Sequence, residues 1–365
     1  MTRFWVGGYG ADMEGHADGI GFLSADAGRG PSSLAHRGLA VRAASPSWLV
    51  NHPTLDVVYA ALEGEGVVQA FARSGEETLR PLAPPVAAGE SVCHVAVSAD
   101  GRMLIASCYG DGKVLRFGLD GAGRLMEPAA DKAAALRAAL FGDAGDAARE
   151  PASADRRTAS DPYPTPAGEE ARASHAHSAV FLPDGRIATT DLGFDLVRIW
   201  RRDATLDHEV VLPRGTGPRH MVLHPSGHLH VVTEYSCEVF TLAAGPDGHW
   251  GLVAGTGVGA MTDADAAAEL AVSRDGQTLY TALRGSNTIA ALRVRGAGDV
   301  VEPLALADSG VDWPRHHLVH EGVLLVAGQK SSTISAIDLD ERTGAPRGIR
   351  HRASVPSPTV IIPAR

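Results

Sequence analysis

Apolar residues along this chain gather in short runs of roughly strand length, each closed by a turn, rather than in the long 3.6-residue stripe of an amphipathic helix. Six segments share one form, an apolar strand, a tight turn and a second apolar strand: WLVNHPTLDVVYAAL, HVAVSADGRMLIASC, SAVFLPDGRIATTDL, HMVLHPSGHLHVVTE, ELAVSRDGQTLYTAL and HHLVHEGVLLVAGQ. With the turn taken at Leu55, Gly101, Gly185, Gly227, Gly276 and Gly322, successive repeats lie 46, 84, 42, 49 and 46 residues apart. The one double interval holds a stretch of different composition at about 126–172, so the period is near 45 throughout. A third strand follows each pair, as in GVVQAF, KVLRFGL, LVRIW, EVFTL, TIAALRV and TISAIDL, and then a less regular fourth.

Four antiparallel strands at this period predict an all-β fold, a β-propeller whose blades bury both faces against their neighbours. Six full repeats leave RFWVGGYG, GIGFLSAD and SSLAHRGLA at the front and PSPTVIIP at the back. Three strands and one strand make a seventh blade, so the C-terminal strand is expected innermost in the N-terminal blade, closing the ring and removing both open edges. The reading is a single seven-bladed domain over 1–365, with an insertion at about 126–172. In that insertion AADKAAALRAALFGD, with Leu136 and Leu140 four apart, reads as a short helix, and the polar, Pro-bearing stretch after it reads as a surface excursion or a cover over one mouth of the ring.

Composition changes the picture by exclusion. A chain of 365 residues that is 44% hydrophobic and 21% charged can bury a core. Its net charge of -10 argues against a phosphate-backbone binder, so no nucleic-acid partner is expected. The absence of an 18-residue apolar run, and of an apolar leader in MTRFWVGGYGADMEG, points away from membranes and towards the cytoplasm. Cys93, Cys108 and Cys237 show no CxxC spacing, so neither a disulfide framework nor a thiolate metal site is expected. A cysteine nucleophile has no support beyond His94 beside Cys93.

Blade topology brings the start of each first strand and the end of each second strand to one rim. Those positions hold Ser45 and Ser47 with Glu63, Cys93 and His94 with Tyr109, and His175 and His177 with Asp191. They continue with Arg219 and His220 with Glu234, Glu269 with Arg284, and Arg315, His316 and His317 with Gln329. The opposite turns carry ADG, PDG, PSG and RDG, ordinary hairpin residues. Any one of these histidines is more often a tether between blades than a catalyst. As a set they are costly to desolvate without a ligand or one another, which marks a candidate site.

PRHMVLHPSGHLHVVTEYSCEVFTL, SHAHSAVFLPDGRIATTDLGFDLVRIW, AAELAVSRDGQTLYTALRGSNTIAALRV and VCHVAVSADGRMLIASCYGDGKV resemble the seven-bladed propeller lactonases. That group includes bacterial 6-phosphogluconolactonases and fungal 3-carboxymuconate cycloisomerases. The resemblance spans every blade and omits the insertion. It implies a site of one His, two Arg and one Glu, falling here on His177, Arg219, Arg284 and Glu234. Ser174 stands where the family has Pro, Cys108-Tyr109-Gly110 where it has Asn-Tyr-Gly, and Gly7-Gly8-Tyr9-Gly10 where it has Gly-Thr-Tyr-Thr.

The expected activity is hydrolysis of an anionic sugar-type lactone. Arg219 and Arg284 are assigned to the anion and the oxyanion, because arginine does not deprotonate. His177, titrating in the useful range, is the expected general base, with Glu234 orienting it. Glu63, His94, Tyr109, His175, Asp191, His220, Glu269, Arg315, His316 and Gln329 are expected to bind the small-molecule substrate, without cofactor or metal. Three rivals stay open: lactone-forming cycloisomerisation, a metal-dependent lactonase using Glu63, Asp191, Glu234 and Glu269, and a non-enzymatic ligand-binding propeller.

Overall fold

The computed structural model describes residues 2–26, 28–126, 160–166 and 168–365. The helix expected at 129–143, and the part of the polar stretch up to residue 159, lie outside the described residues. Seven antiparallel sheets form seven blades. Blade one runs Pro46–Asn51, Val57–Leu62, Val67–Arg73 and Leu79–Pro81, with the short Val86–Ala87 also pairing to its third strand. Blades two to six begin with Val92–Val97, Ala176–Phe181, Pro218–Leu223, Ala267–Val272 and Pro314–His320. Blade seven is the composite: Pro358–Pro363 is its inner strand, followed by Arg3–Gly8, Gly19–Ser24 and Ala35–Arg42. Trp5 pairs with Ile362 and Val6 with Ile361 in the expected antiparallel closure. Each inner strand packs on the inner strands of the blades before and after it, Pro358–Pro363 meeting both Pro314–His320 and Pro46–Asn51, which closes the ring.

The strands form because both sheet faces are buried between blades. The second strands VVYAAL, TLYTAL and VLLVAG are buried at every position, and therefore read as continuous apolar runs rather than alternating ones. Between blades one and two, Tyr59, Leu104, Ala106 and Phe117 share one cluster; between blades seven and one, Trp5, Phe22, Leu49 and Phe71 share another. The large side chains among them contribute about 1.5–3 kcal/mol each by burial. The tyrosine hydroxyls are satisfied across blades in the same way twice, Tyr59 donating to the Gly123 carbonyl at 2.8 Å and Tyr280 to that of Gly344 at 2.7 Å. No helix among the described residues is long and apolar enough to cross a membrane.

The end of the insertion is tied to the rim side of blade three. Arg172 pairs with Asp161 at 2.5 Å and with Asp195, and Tyr163 donates to the Leu212 carbonyl at 2.6 Å.

Candidate active site

The pairing of inner and second strands slips by one residue at the same place in all seven blades. Each slip falls about the second residue of the inner strand, giving a ring of Ser47, Cys93, His177, Arg219, Ala268, Arg315 and Thr359. A residue left over in a ladder is turned out of the regular alternation, which frees His177, Arg219 and Arg315 from the packing between blades, while Ala268 stays in the cluster between blades five and six. In five blades the residue just before the strand is also left-handed: Ser45 (φ 37), Ser91 (φ 51), Gly217 (φ 66), Trp313 (φ 59) and Ser357 (φ 35). Strain of this kind persists where the surrounding structure fixes it and concentrates at functional sites.

Above that ring lies a second one, defined by a backbone hydrogen bond that recurs in every blade. The residue after the second strand donates its N–H to the carbonyl just before the inner strand, selecting Tyr9, Glu63, Tyr109, Leu192, Glu234, Arg284 and Gln329. Five of these match the expected rim. In blade three the equivalent residue is Leu192, not Asp191. The Asp191 side chain is fully buried within its blade, where it accepts from the backbone N–H of His175 and Phe194 and pairs with Arg198 at 2.5 Å. The expectation that Asp191 binds substrate is corrected accordingly: its carboxylate ties the blade.

The two rings bring the charged groups together in two clusters. In the first, Glu234 Oε2 lies 2.9 Å from Arg219 Nε and 2.8 Å from Arg284 Nη2. Burial would raise the Glu234 pKa, but the guanidiniums of Arg219 and Arg284 outweigh it and hold the carboxyl below its ordinary value. Arg284 also donates to the carbonyls of Ala266 and Ala267, at 3.1 Å each, and lies 5.6 Å from the Trp313 ring, over which Lys330 sits on the rim at 3.4 Å. In the second cluster Arg315 donates to the Tyr9 hydroxyl at 2.6 Å, and Tyr9 donates to Glu63 at 3.0 Å. Gln329 accepts from Arg315 at 3.5 Å.

His177 enters from blade three, its ring centroid 5.4 Å from His220 and 6.4 Å from Tyr109. It is buried, and its Nδ1 has no hydrogen-bond partner among the described residues; Arg219 Nη1 is unpartnered in the same sense. Burial, then the charges of Arg219 and Arg315, push the His177 pKa well below 6.5. The expected titration near neutrality is corrected: in the free protein His177 is neutral. The expected role of Glu234 changes too, since its carboxylate is committed to Arg219 and Arg284 rather than to His177. Burial, outweighing the nearby arginines, pushes the Cys93 thiol up to about 12, so it is no nucleophile.

His175 stands at the rim, stacked on Tyr109 at 4.4 Å with its Nδ1 2.7 Å from the Tyr109 carbonyl oxygen. His94, His220, Glu269 and His316, expected at the rim, lie one layer deeper as third residues of their inner strands. Glu269 accepts from the His317 backbone at 2.7 Å and lies 3.4 Å from His316 Nε2; burial pushes its pKa up to about 8. The four carboxylates considered as metal ligands have these separate partners, and among the described residues no three His, Cys, Asp or Glu side chains converge on one point. Tyr9 and Trp48 were not anticipated. Both were findable by alignment of the repeats: Tyr9 is the blade-seven equivalent of Glu63, and Trp48 the blade-one equivalent of His94 and His220.

A closed seven-bladed ring with an arginine-rich mouth defines a class, and comparison with known proteins gives it a family. The sequence model of the family described as lactonase, 7-bladed beta-propeller, matches residues 3–363. The chain belongs to that family. It is 24% identical over 376 residues to the 6-phosphogluconolactonase of Bacillus subtilis (strain 168), covering 99% of this chain and 98% of that protein. Among solved structures, a protein from Lactobacillus plantarum superposes with a TM-score of 0.80 at 21% identity, with 99% of each chain covered. The periplasmic gluconolactonase of Pseudomonas aeruginosa superposes with a TM-score of 0.77 at 21% identity, over 99% of this chain and 98% of that one. These two likenesses are of fold.

Proposed function

We propose that the protein opens the ring of a sugar-type lactone carrying a phosphate or carboxylate, in the manner of a 6-phosphogluconolactonase. The observation that carries this is the convergence of Arg219, Arg284 and Arg315 about a neutral histidine, with a single carboxylate, Glu234, shared between two of the three. The first cluster therefore keeps a net positive charge that an anionic substrate neutralises. The Bacillus subtilis relative named 6-phosphogluconolactonase supports the same reading.

The chemistry follows from these groups. Burial first, and then the charges of Arg219 and Arg315, hold the His177 pKa down; an anion bound between the two arginines offsets their part, raising the pKa and making the imidazole a better base. His177 takes a proton from water as the water oxygen bonds to the lactone carbonyl carbon. The carbonyl oxygen becomes an oxyanion facing the unpartnered N–H groups of Arg219, in a site where preorganised donors supply most of the stabilisation. Breakage of the ring C–O bond releases an alkoxide, which takes the proton back from His177 and leaves the hydroxy acid. Glu234 is a positioning residue that fixes both guanidinium planes.

The test is proton release in a pH-stat, corrected for spontaneous hydrolysis, across phosphorylated and unphosphorylated lactones. The phosphorylated substrate should be preferred, and Arg219→Lys should lower kcat/KM by about 10- to 100-fold, because lysine keeps the charge but loses the planar fork. Equal rates for charged and neutral lactones would overturn the anionic assignment.

A further inference from the structure

Beneath the ring that holds His177 and Arg219 the channel is blocked. The Trp48 indole, from blade one, lies 4.7 Å from the His94 ring, 4.9 Å from that of His220 and 5.2 Å from that of His316. Those imidazoles come from blades two, four and six, and one side chain reaches neighbours so far round the ring only at its axis. Trp48 is held there, packed against the core clusters on both sides of blade one. Below it the passage changes character. The fifth residue of every inner strand, from Val50 and Ala96 to Leu318 and Ile362, is apolar and only half-buried. A ring of apolar, partly solvent-exposed side chains thus lies under the polar mouth as the wall of an apolar bore, with one indole between the two.

We propose that Trp48 is the specificity-determining plug of this channel: it gives the mouth a closed floor that fits a compact polar lactone and excludes lactones with an alkyl tail, which the bore would otherwise accept. The inference rests on the lactone-opening reading above. Selectivity needs an obstacle to the wrong substrate as well as contacts to the right one. Were mouth and bore continuous, each methylene of a tail buried there would strengthen binding about fourfold, and the bore would draw apolar lactones past the arginines. The indole also presents a flat face on which the C–H side of a sugar ring can rest while its oxygens meet Arg219 and Arg284.

The experiment compares kcat/KM for 6-phosphogluconolactone and γ-decalactone. Trp48→Ala should raise the ratio of the second to the first by about tenfold or more over wild type, and Trp48→Phe, which keeps a ring at the axis, should leave it near the wild-type value. Should Trp48→Ala fail to fold, Trp48→Val retains apolar packing against the neighbouring blades and is read in the same way. An unchanged ratio in the folded variant overturns the proposal. If wild type opens neither lactone, the functional reading itself fails and the plug is decided by fluorescence. Iodide entering the arginine-lined mouth should quench the Trp48 emission, taken as wild type minus Trp48→Phe, and Arg219→Gln should weaken that quenching. Trp48 emission untouched by iodide would show that the indole does not floor the mouth.

Discussion

The two halves of the central channel are built from the same seven strands and share almost no chemistry. At one end lie Arg219, Arg284, Arg315, His177, Glu234, Glu63 and Tyr9; towards the other, the fifth residue of every inner strand is apolar and half-buried, and the turns are ordinary. The difference comes from one extra residue per blade. At the slip, His177, Arg219 and Arg315 are turned out of the alternation that would send them between blades; below it, alternation resumes and side chains go back to holding blades together. Function is thus placed by an irregularity of the backbone, and stability by its regular part.

The largest expected effect tests the mouth. His177→Ala should lower kcat by about 10²- to 10⁴-fold, the usual range for loss of a general acid-base group, while the protein remains folded. Turnover undiminished in a folded His177→Ala protein would remove the histidine from the mechanism.

Next in size is the response to acid. Burial is the leading cause in lowering the pKa of His94 to about 3, of His317 to about 4, and of His177, His220 and His316 well below 6.5. These groups are neutral when folded and titrate near 6.5 when unfolded, so the unfolded chain binds more protons below that pH. The stability they contribute is present above pH 6.5 and lost as pH falls. Glu269 acts oppositely: its folded pKa of about 8 gives stability below the unfolded carboxyl value, lost as pH rises through 8, and it offsets one histidine. A net uptake of two protons amounts to about 3 kcal/mol per pH unit. Thermal melts between pH 7 and 5.5 should fall steeply; a flat profile would mean that the layer under the mouth is already hydrated.

Asp191 sharpens the contrast from within one blade. Asp191→Asn should cost about 3 kcal/mol, as when one partner of a buried ion pair is removed, with Glu209 still 2.9 Å from Arg198 to moderate the loss. Turnover per folded molecule should hold. Denaturant unfolding beside active-site titration separates the two, and a loss of kcat at wild-type stability would return Asp191 to the site.

That residue also shows where sequence reasoning stops. The blades, their number and the closure by Pro358–Pro363 were legible because both-face burial writes apolar runs and a 45-residue period into the chain. The rim was legible in outline, since Glu63, Tyr109, Glu234, Arg284 and Gln329 follow second strands at a fixed place. A shift of one residue moved Asp191 from mouth to blade, because neighbouring side chains on a strand face opposite ways and pattern alone fixes strand ends only loosely. The depth of His94, His220 and His316, and the plug they form with Trp48, depend on the slip in register, which leaves no mark in hydrophobic pattern. Nor could the pKa of His177 be read beforehand, as it depends first on burial and then on arginines from blades four and six.

The smallest effect separates two histidines that resemble each other closely. His230, like His177, is buried, has one ring nitrogen without a hydrogen-bond partner among the described residues, and has its pKa lowered, to about 4, chiefly by burial. It lies on the regular second strand of blade four, with its Nδ1 3.1 Å from the Thr241 hydroxyl and its ring edge-on to His224 at 5.4 Å. No slip in register turns it towards the channel. His230→Ala should therefore cost about 1–2 kcal/mol, a partly compensated cavity together with the loss of one neutral hydrogen bond, and leave kcat and KM at wild-type values. If burial and a depressed pKa were enough to make a catalyst, the two variants would fail alike. A His230→Ala protein as inactive as His177→Ala would show that the register slip is not what places the chemistry.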